Sequence, residues 1–400
     1  MNLRLLLSLL IAVGMLFLPV ALHAANVTWD ATPGNGVVNE GSGTWKDNDV
    51  TYNNWTTDGG VTNQVWNNTS SDIAILGETL NDSSSYNLDI VGTVKAAGLV
   101  FNRRYRPDYG AYNAGDLLVL TGTNPVVHGN ARIYFYGKMA NDTGTQKVTF
   151  LRDGAYTSYI YWNGSGDFTC PVQIGDDTGD PAYAKQIFPV TADAFGPNCP
   201  ELRIMNGSGC QLRGAATIAT PLTLRGLGYN DGGALMLYSS GSGWTGDITL
   251  VTDSRITARG TDTGTVYLTS DIGEAAGDPK SLSLGNSSYG VTMEVAGTNT
   301  YTGDTVIYDT TGDTAHPFKV LLKASGSIAN SAQIEVGENC ILDVLEYTSG
   351  WALGANQRLC GGGTVNGDVT GDGTNDIGTG CSLGQLDITG YLHFSGTLHV

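Results

Sequence analysis

From Asn299 onward the chain consists of short apolar or alternating runs, Thr305 to Ile307, Phe318 to Leu322, Gln333 to Val336 and Ile341 to Val344, separated by glycine-bearing turns. None of them continues at the 3.6-residue spacing of a helix. Each run is too short to be stable alone, and only a neighbour stacked on it buries its apolar side. That requirement predicts an all-β chain wound into coils, a β-solenoid, with similar side chains meeting vertically inside. The organising stretch is Asn299-Thr300-Tyr301-Thr302-Gly303-Asp304-Thr305-Val306-Ile307. There Thr-Tyr-Thr favours strand, and Gly303 offers a position where φ can be positive.

The same texture fills residues 103–296. Leu117 to Leu120, Ile133 to Tyr136, Leu222 to Leu224, Leu235 to Leu237, Ile248 to Leu250, Val266 to Leu268, Leu282 to Leu284 and Val291 to Val295 read as strands. Most alternate as expected when one side faces an interior. Arg152 to Cys210 is the least regular part and reads as longer loops, with Cys199 and Cys210 as a pair that could pin them. It holds Asp176, Asp177 and Asp180, and a site peculiar to this protein is expected there first.

Residues 1–24 have the three parts of a secretory signal: Arg4, an apolar run from Leu5 to Leu22, and small residues at Ala24 and Ala25. An uncleaved anchor is the rival, disfavoured by Gly14 and Pro19 within the run. The expectation is an exported protein at the cell surface or beyond, with no membrane span once the signal is removed. The charge balance suits that setting. Lys plus Arg number 20 against 38 Asp plus Glu, a formal net charge of −18. Such a chain repels phosphate backbones, so nucleic acid is not an expected partner. Extracellular glycans or other cell-surface components are.

Cysteines Cys170, Cys199, Cys210, Cys340, Cys360 and Cys381 include no CxxC pair, and His128, His316, His393 and His399 lie far apart, so a zinc site is not expected. The last three cysteines are 20 and 21 residues apart. In coils of about twenty residues they would lie above one another, ~4.8 Å apart. A buried cysteine ladder is the preferred outcome and a disulfide the alternative.

Residues 25–102 differ from the rest. Four of the seven tryptophans, Trp29, Trp45, Trp55 and Trp66, sit there among turn-forming residues. A solenoid must close its first coil, and aromatic plates between turns would do so. The rival is a sugar-stacking surface. Asp72 to Leu76 and Gly92 to Asn102 follow as the first coils.

Thr28-Trp29-Asp30, Gly43-Thr44-Trp45, Asn54-Trp55, Trp66-Asn67-Asn68, Asp72-Ile73-Ala74-Ile75-Leu76 and Ala97-Gly98-Leu99-Val100-Phe101-Asn102, in that order, resemble the opening of exported bacterial proteins with autotransporter-associated β-strand repeats. The repeat itself is similar to residues 299–307, to Gly326-Ser327-Ile328-Ala329-Asn330-Ser331-Ala332 and to Trp351-Ala352-Leu353-Gly354-Ala355-Asn356-Gln357. Asp304 stands where that family has a second glycine. The likeness covers 26–102 and 297–400 and is thin between. It implies a right-handed parallel β-helix displayed outside the cell, with no shared catalytic residues.

Near the end, Asp368-Val369-Thr370-Gly371-Asp372-Gly373-Thr374-Asn375-Asp376 resembles half of a calcium loop. Asn375 and Thr379 stand where an apolar residue and a bidentate acid would be needed, so a tight Asp/Gly turn is preferred, with Asp368, Asp372 and Asp376 left as the calcium candidates. Gly396 to Val400 reads as mid-strand, so another coil or protomer should cover it, or the chain is truncated there. No residue stands out as catalytic or cofactor-binding. The expected function is a non-catalytic surface scaffold or adhesin-like passenger. The alternatives are a polysaccharide lyase-like enzyme, which needs clustered carboxylates, calcium and a base, and a glycan-binding module with an outer aromatic ladder.

Overall fold

In a computed structural model the described residues are 24–110, 113–152, 159–178, 185–260, 264–286, 290–378, 381, 384–395 and 397–398, so the expected signal peptide, Asp180 and His399 lie outside them. Among the described residues there is no α-helix, only a 3-10 turn at Tyr229–Asp231. The strands stack in parallel as a β-solenoid of about twelve turns.

Three columns of strands wrap the shaft. The first runs through Asn26–Trp29, the start of Ile73–Val91, Gly98–Pro107, Val126–Gly129, Val148–Leu151, Val172–Ile174, Leu202–Ile204, Leu222–Gly226 and Ile248–Ala258 to Ile272–Glu274. The second runs beside it from Gly43–Lys46 to Thr397–Leu398. Ile73–Val91, Gly98–Pro107 and Ile248–Ala258 are long enough to serve both, which joins them into one sheet. The third column runs from Thr93–Ala96 to Ser165–Asp167 and resumes from Thr217–Ile218 to Asp387–Ile388.

Alternation decides which side chains fill the shaft. In the second column Ile133, Ile160, Ile187, Cys210, Leu235, Ile256, Leu284, Ile307 and Val336 lie on one another in register, each at most 2% exposed. At about 25 cal/mol per Å² of apolar surface, this ladder is what holds coil to coil, since a coil alone buries only one side. Slipping a strand by one residue would turn the ladder outward, so the register is strongly fixed.

The amino end is closed by the tryptophans. Trp29, Trp45, Trp55 and Trp66 are at most 1% exposed, with ring centroids 4.6 to 5.4 Å apart. Asn26–Trp29 pairs antiparallel with Trp55–Thr56, which ends the parallel column. This aromatic cluster supports in part the cap expected from the sequence.

Coil length corrects the reading of the cysteines. Ile307 lies on Val336 and Cys360 on Gly378, intervals of 29 and 18 residues, so turns have no common length near twenty. Cys340 consequently sits in the third column, beside Phe318, and Cys360 in the second, beside Glu335. The three-cysteine ladder does not form. Cys360 and Cys381 are disulfide-bonded with Cα atoms 5.8 Å apart, while Cys170, Cys199, Cys210 and Cys340 are free and buried. Cys199 and Cys210 therefore pin no loop. Arc by arc, residues 152–210 contribute six strands to the same columns, with longer connections between them.

The stretch 299–307 is also corrected in detail. Thr300-Tyr301-Thr302 is a corner, not a strand. Tyr301 turns into the shaft, where its hydroxyl meets Thr305 Oγ1 at 2.6 Å; Thr305 donates to Ser331 Oγ at 2.9 Å and Ser331 to the Gly303 carbonyl at 2.7 Å. Gly303 is required by proximity, not by positive φ: a Cβ there would stand 2.3 Å from the Lys280 carbonyl carbon.

Candidate functional site

The sequence placed functional weight on carboxylates, and the structure gives each described one its own partner. Asp372 Oδ1 accepts from the Thr374 amide at 2.8 Å and its hydroxyl at 2.6 Å, while Asn375 Oδ1 accepts from the Asp372 amide at 2.8 Å. Those Thr374 bonds hold the Asp372 carboxyl below the usual range. Asp368 Oδ1 accepts from the Tyr391 amide at 2.7 Å on the next coil, and Asp376 lies 3.5 Å from Arg358 Nε. The run is thus an Asx turn between two strands, with its acids facing separate partners. In the irregular middle, Asp177 bridges Lys147 at 2.8 Å and Gln173 Nε2 at 3.0 Å, and the Lys147 bond lowers its pKa. Asp176 takes the Thr178 hydroxyl at 2.5 Å. Among the described residues no three His, Cys, Asp or Glu side chains converge as a metal-ligand set.

The tryptophans offer no ring face to a sugar, because all four are buried against one another. Trp29 and Trp66 also commit their Nε1 hydrogens to the carbonyls of Gly41 and Lys95, at 3.1 and 2.9 Å.

What the sequence reading missed lies on the outside of the second column. Where alternation calls for polar residues, Ile133–Phe135, Tyr159–Trp162 and Gln186–Pro189 project Tyr134, Tyr161 and Phe188, which are in register. Tyr134 and Tyr161 stack at 4.5 Å with rings 1° from parallel; Tyr159 stacks on Phe188 at 4.9 Å. Arg213, from the following coil, lies 4.3 Å from the Phe188 ring centre, 5.4 Å from Tyr161 and 4.7 Å from Tyr238. Arg259 continues the series over Tyr238 at 5.9 Å. Further on, Arg255 lies over Tyr308, whose ring lies across Gly285 and leaves no room for a Cβ there. The signal was available as aromatic residues at both alternation positions of Tyr159-Ile160-Tyr161-Trp162.

At the amino-terminal end of this strip a cavity of about 270 Å³ is lined by Ser85, Arg104, Arg106, Tyr109, Tyr134 and Tyr136. Arg106 lies 4.8 Å over the Tyr109 ring, and Tyr109 meets Tyr136 edge-on at 5.0 Å. Burial raises the Tyr136 and Tyr161 phenols above their ordinary values, so both are neutral hydrogen-bonding groups at physiological pH.

The charges of this strip are handled differently from those elsewhere. On the third column Lys95, Lys138 and Lys319 each meet an aspartate, Asp142, Asp167 and Asp343, at 3.4, 3.0 and 3.4 Å. The second column is balanced in the same way at its two ends, by Arg103 with Glu40 and Arg358 with Asp376. Between those ends Arg106, Arg213 and Arg259 meet rings and, among the described residues, form no ion pair.

No family model, no curated protein and no solved structure matches the chain.

Proposed function

We propose that this chain is a non-catalytic β-solenoid exported to the cell surface, where it acts as a scaffold or adhesin-like passenger and contacts glycans or other surface components along its flank. The observation that carries the reading is the continuous shaft from Val27 to Ile377, a rigid element whose outer positions are free to vary while the ladder inside is not. Export rests on the leader-like residues 1–24, and display on the resemblance to proteins with autotransporter-associated repeats. Support against a lyase comes from the acids named above, whose oxygens are held by local amides, hydroxyls and cations instead of facing a common point. Two measurements test the proposal together. Antibody labelling of intact producing cells should find the protein outside; labelling that requires lysis refutes it. Incubation with uronate polymers and calcium should give no unsaturated product, and product formation refutes the non-catalytic reading.

A further inference from the structure

We infer that the aromatic–arginine strip from Arg104 to Arg259 is the binding surface for a linear anionic polysaccharide, one carrying carboxylate or sulfate groups. This rests on the surface-contact reading above and gives it a ligand class.

The chain carries a formal −18, yet the strands Ile133–Phe135, Tyr159–Trp162, Gln186–Pro189, Gly209–Leu212 and Leu235–Leu237 and residues 254–258 contain no Asp or Glu. Arg106, Arg213 and Arg259 lie along these strands, each over an aromatic ring. A guanidinium stacked on an aromatic face keeps its N–H groups along its own edge, and such forks match carboxylate and sulfate oxygens. The rings fix the cations in place, so little side-chain entropy is lost when an anion arrives.

Strands in this column are ~4.8 Å apart, so the seven rungs from Arg106 to Arg259 extend over about 29 Å. Along it Tyr136, Tyr161, Arg213 and Tyr238 are half-buried and Arg259 is exposed, whereas Phe188, Gln211 and Met236 are buried, and this line of open side chains suits an extended polymer. The cavity of about 270 Å³ at its end, with the Arg106 guanidinium and three phenols, suits one acidic sugar unit.

The closed ring faces favour a polysaccharide over nucleic acid. Single-stranded nucleic acid is bound by stacking bases on open aromatic faces. Here Tyr134 and Tyr161 cover each other's faces, and Tyr159 covers that of Phe188. What the strip offers outward is phenol edges and guanidinium N–H groups, which hydrogen-bond to sugar hydroxyls and acidic groups.

The test is equilibrium binding of the mature chain to polygalacturonate, heparin, dextran and an oligothymidylate, with the double variant Arg106→Ala/Arg213→Ala and the off-strip control Lys95→Ala. Each variant's fold is confirmed by circular dichroism. The expected result is binding to one or both anionic polysaccharides and not to dextran, weakened about tenfold or more by the double variant, unchanged by Lys95→Ala, and weakened by raising salt from about 50 to about 200 mM. Equal binding of dextran, preference for oligothymidylate, no binding at all, or full binding by the double variant overturns the inference. Should Arg213→Ala unfold the chain, Arg106→Ala with Arg259→Ala replaces it. No binding leaves the scaffold reading standing, whereas release of unsaturated products on binding overturns that reading and not the location of the surface.

Discussion

Replacing Trp55 by alanine tests whether the tryptophan cluster seals the shaft or merely occupies its end. Trp55 is 1% exposed and its ring meets three others, Trp29 at 5.4 Å, Trp45 at 4.8 Å and Trp66 at 4.6 Å. Truncating a buried tryptophan costs about 3–5 kcal/mol through lost transfer energy and the cavity left behind. Aromatic pairing accounts for ~0.5–1.5 kcal/mol per contact within that range. In a stack where each coil touches only its neighbours, the loss should be confined to the cap and the first coils. About 4 kcal/mol at roughly 1.4 kcal/mol per decade corresponds to a rise of nearly a thousandfold in local opening. Hydrogen exchange read by mass spectrometry is the assay. Peptides from residues 26–107 should lose protection by that factor, while peptides from 282–378 keep theirs. Uniform loss along the whole chain would refute the stacked-neighbour reasoning. Unchanged exchange at 26–107 would refute the cap.

Three further outcomes follow from particular contacts. Gly303→Ala drives a Cβ against the main chain of Lys280 and Ser281 and should cost about 1–3 kcal/mol in urea denaturation, whereas Gly115→Ala, with no atom within 4 Å, should be neutral. Asp108, raised to about 7 by burial with Oδ2 unpartnered, binds its proton more tightly folded than unfolded, so stability should fall as pH rises from about 4 to about 7 and then level. Asp108→Asn should remove that slope and raise the melting temperature at pH 8, by up to ~4 kcal/mol of stability; a slope that persists in the variant would contradict the assignment. Reducing Cys360–Cys381, a closure of 21 residues, should cost about 3 kcal/mol, seen as earlier unfolding of the carboxyl-terminal coils in dithiothreitol, and an unaffected transition would count against the bond.

The solenoid was legible because burial in a coil repeats at every strand: Gln333–Val336 and Thr292–Val295 alternate in sequence as they alternate in exposure. The cap was legible because four tryptophans among turn residues have few other uses. Register between coils was not. Corners absorb surplus residues, so an interval read off the sequence, such as that from Cys340 to Cys360, does not say which column a residue joins. Tyr301 misled for a related reason, since a β-favouring residue serves equally well as a corner that reaches inward. The aromatic–arginine strip was hidden because its members are neighbours only across coils. Tyr134 and Tyr161 are separated by 27 residues, and Arg213 by still more. The acidic runs, in contrast, were conspicuous in one dimension, and their members meet separate turn groups, cations and coils.

Unequal coil length has an engineering consequence. Between intervals as different as 18 and 29 residues the inner ladder keeps its register, so the extra segments have been extruded sideways without disturbing the mast they hang from. Open bends such as those at Gly277 and Gly312, where an added Cβ would meet nothing within 4 Å, are therefore natural sockets for foreign peptides. An epitope spliced there should be presented at a fixed height along the rod.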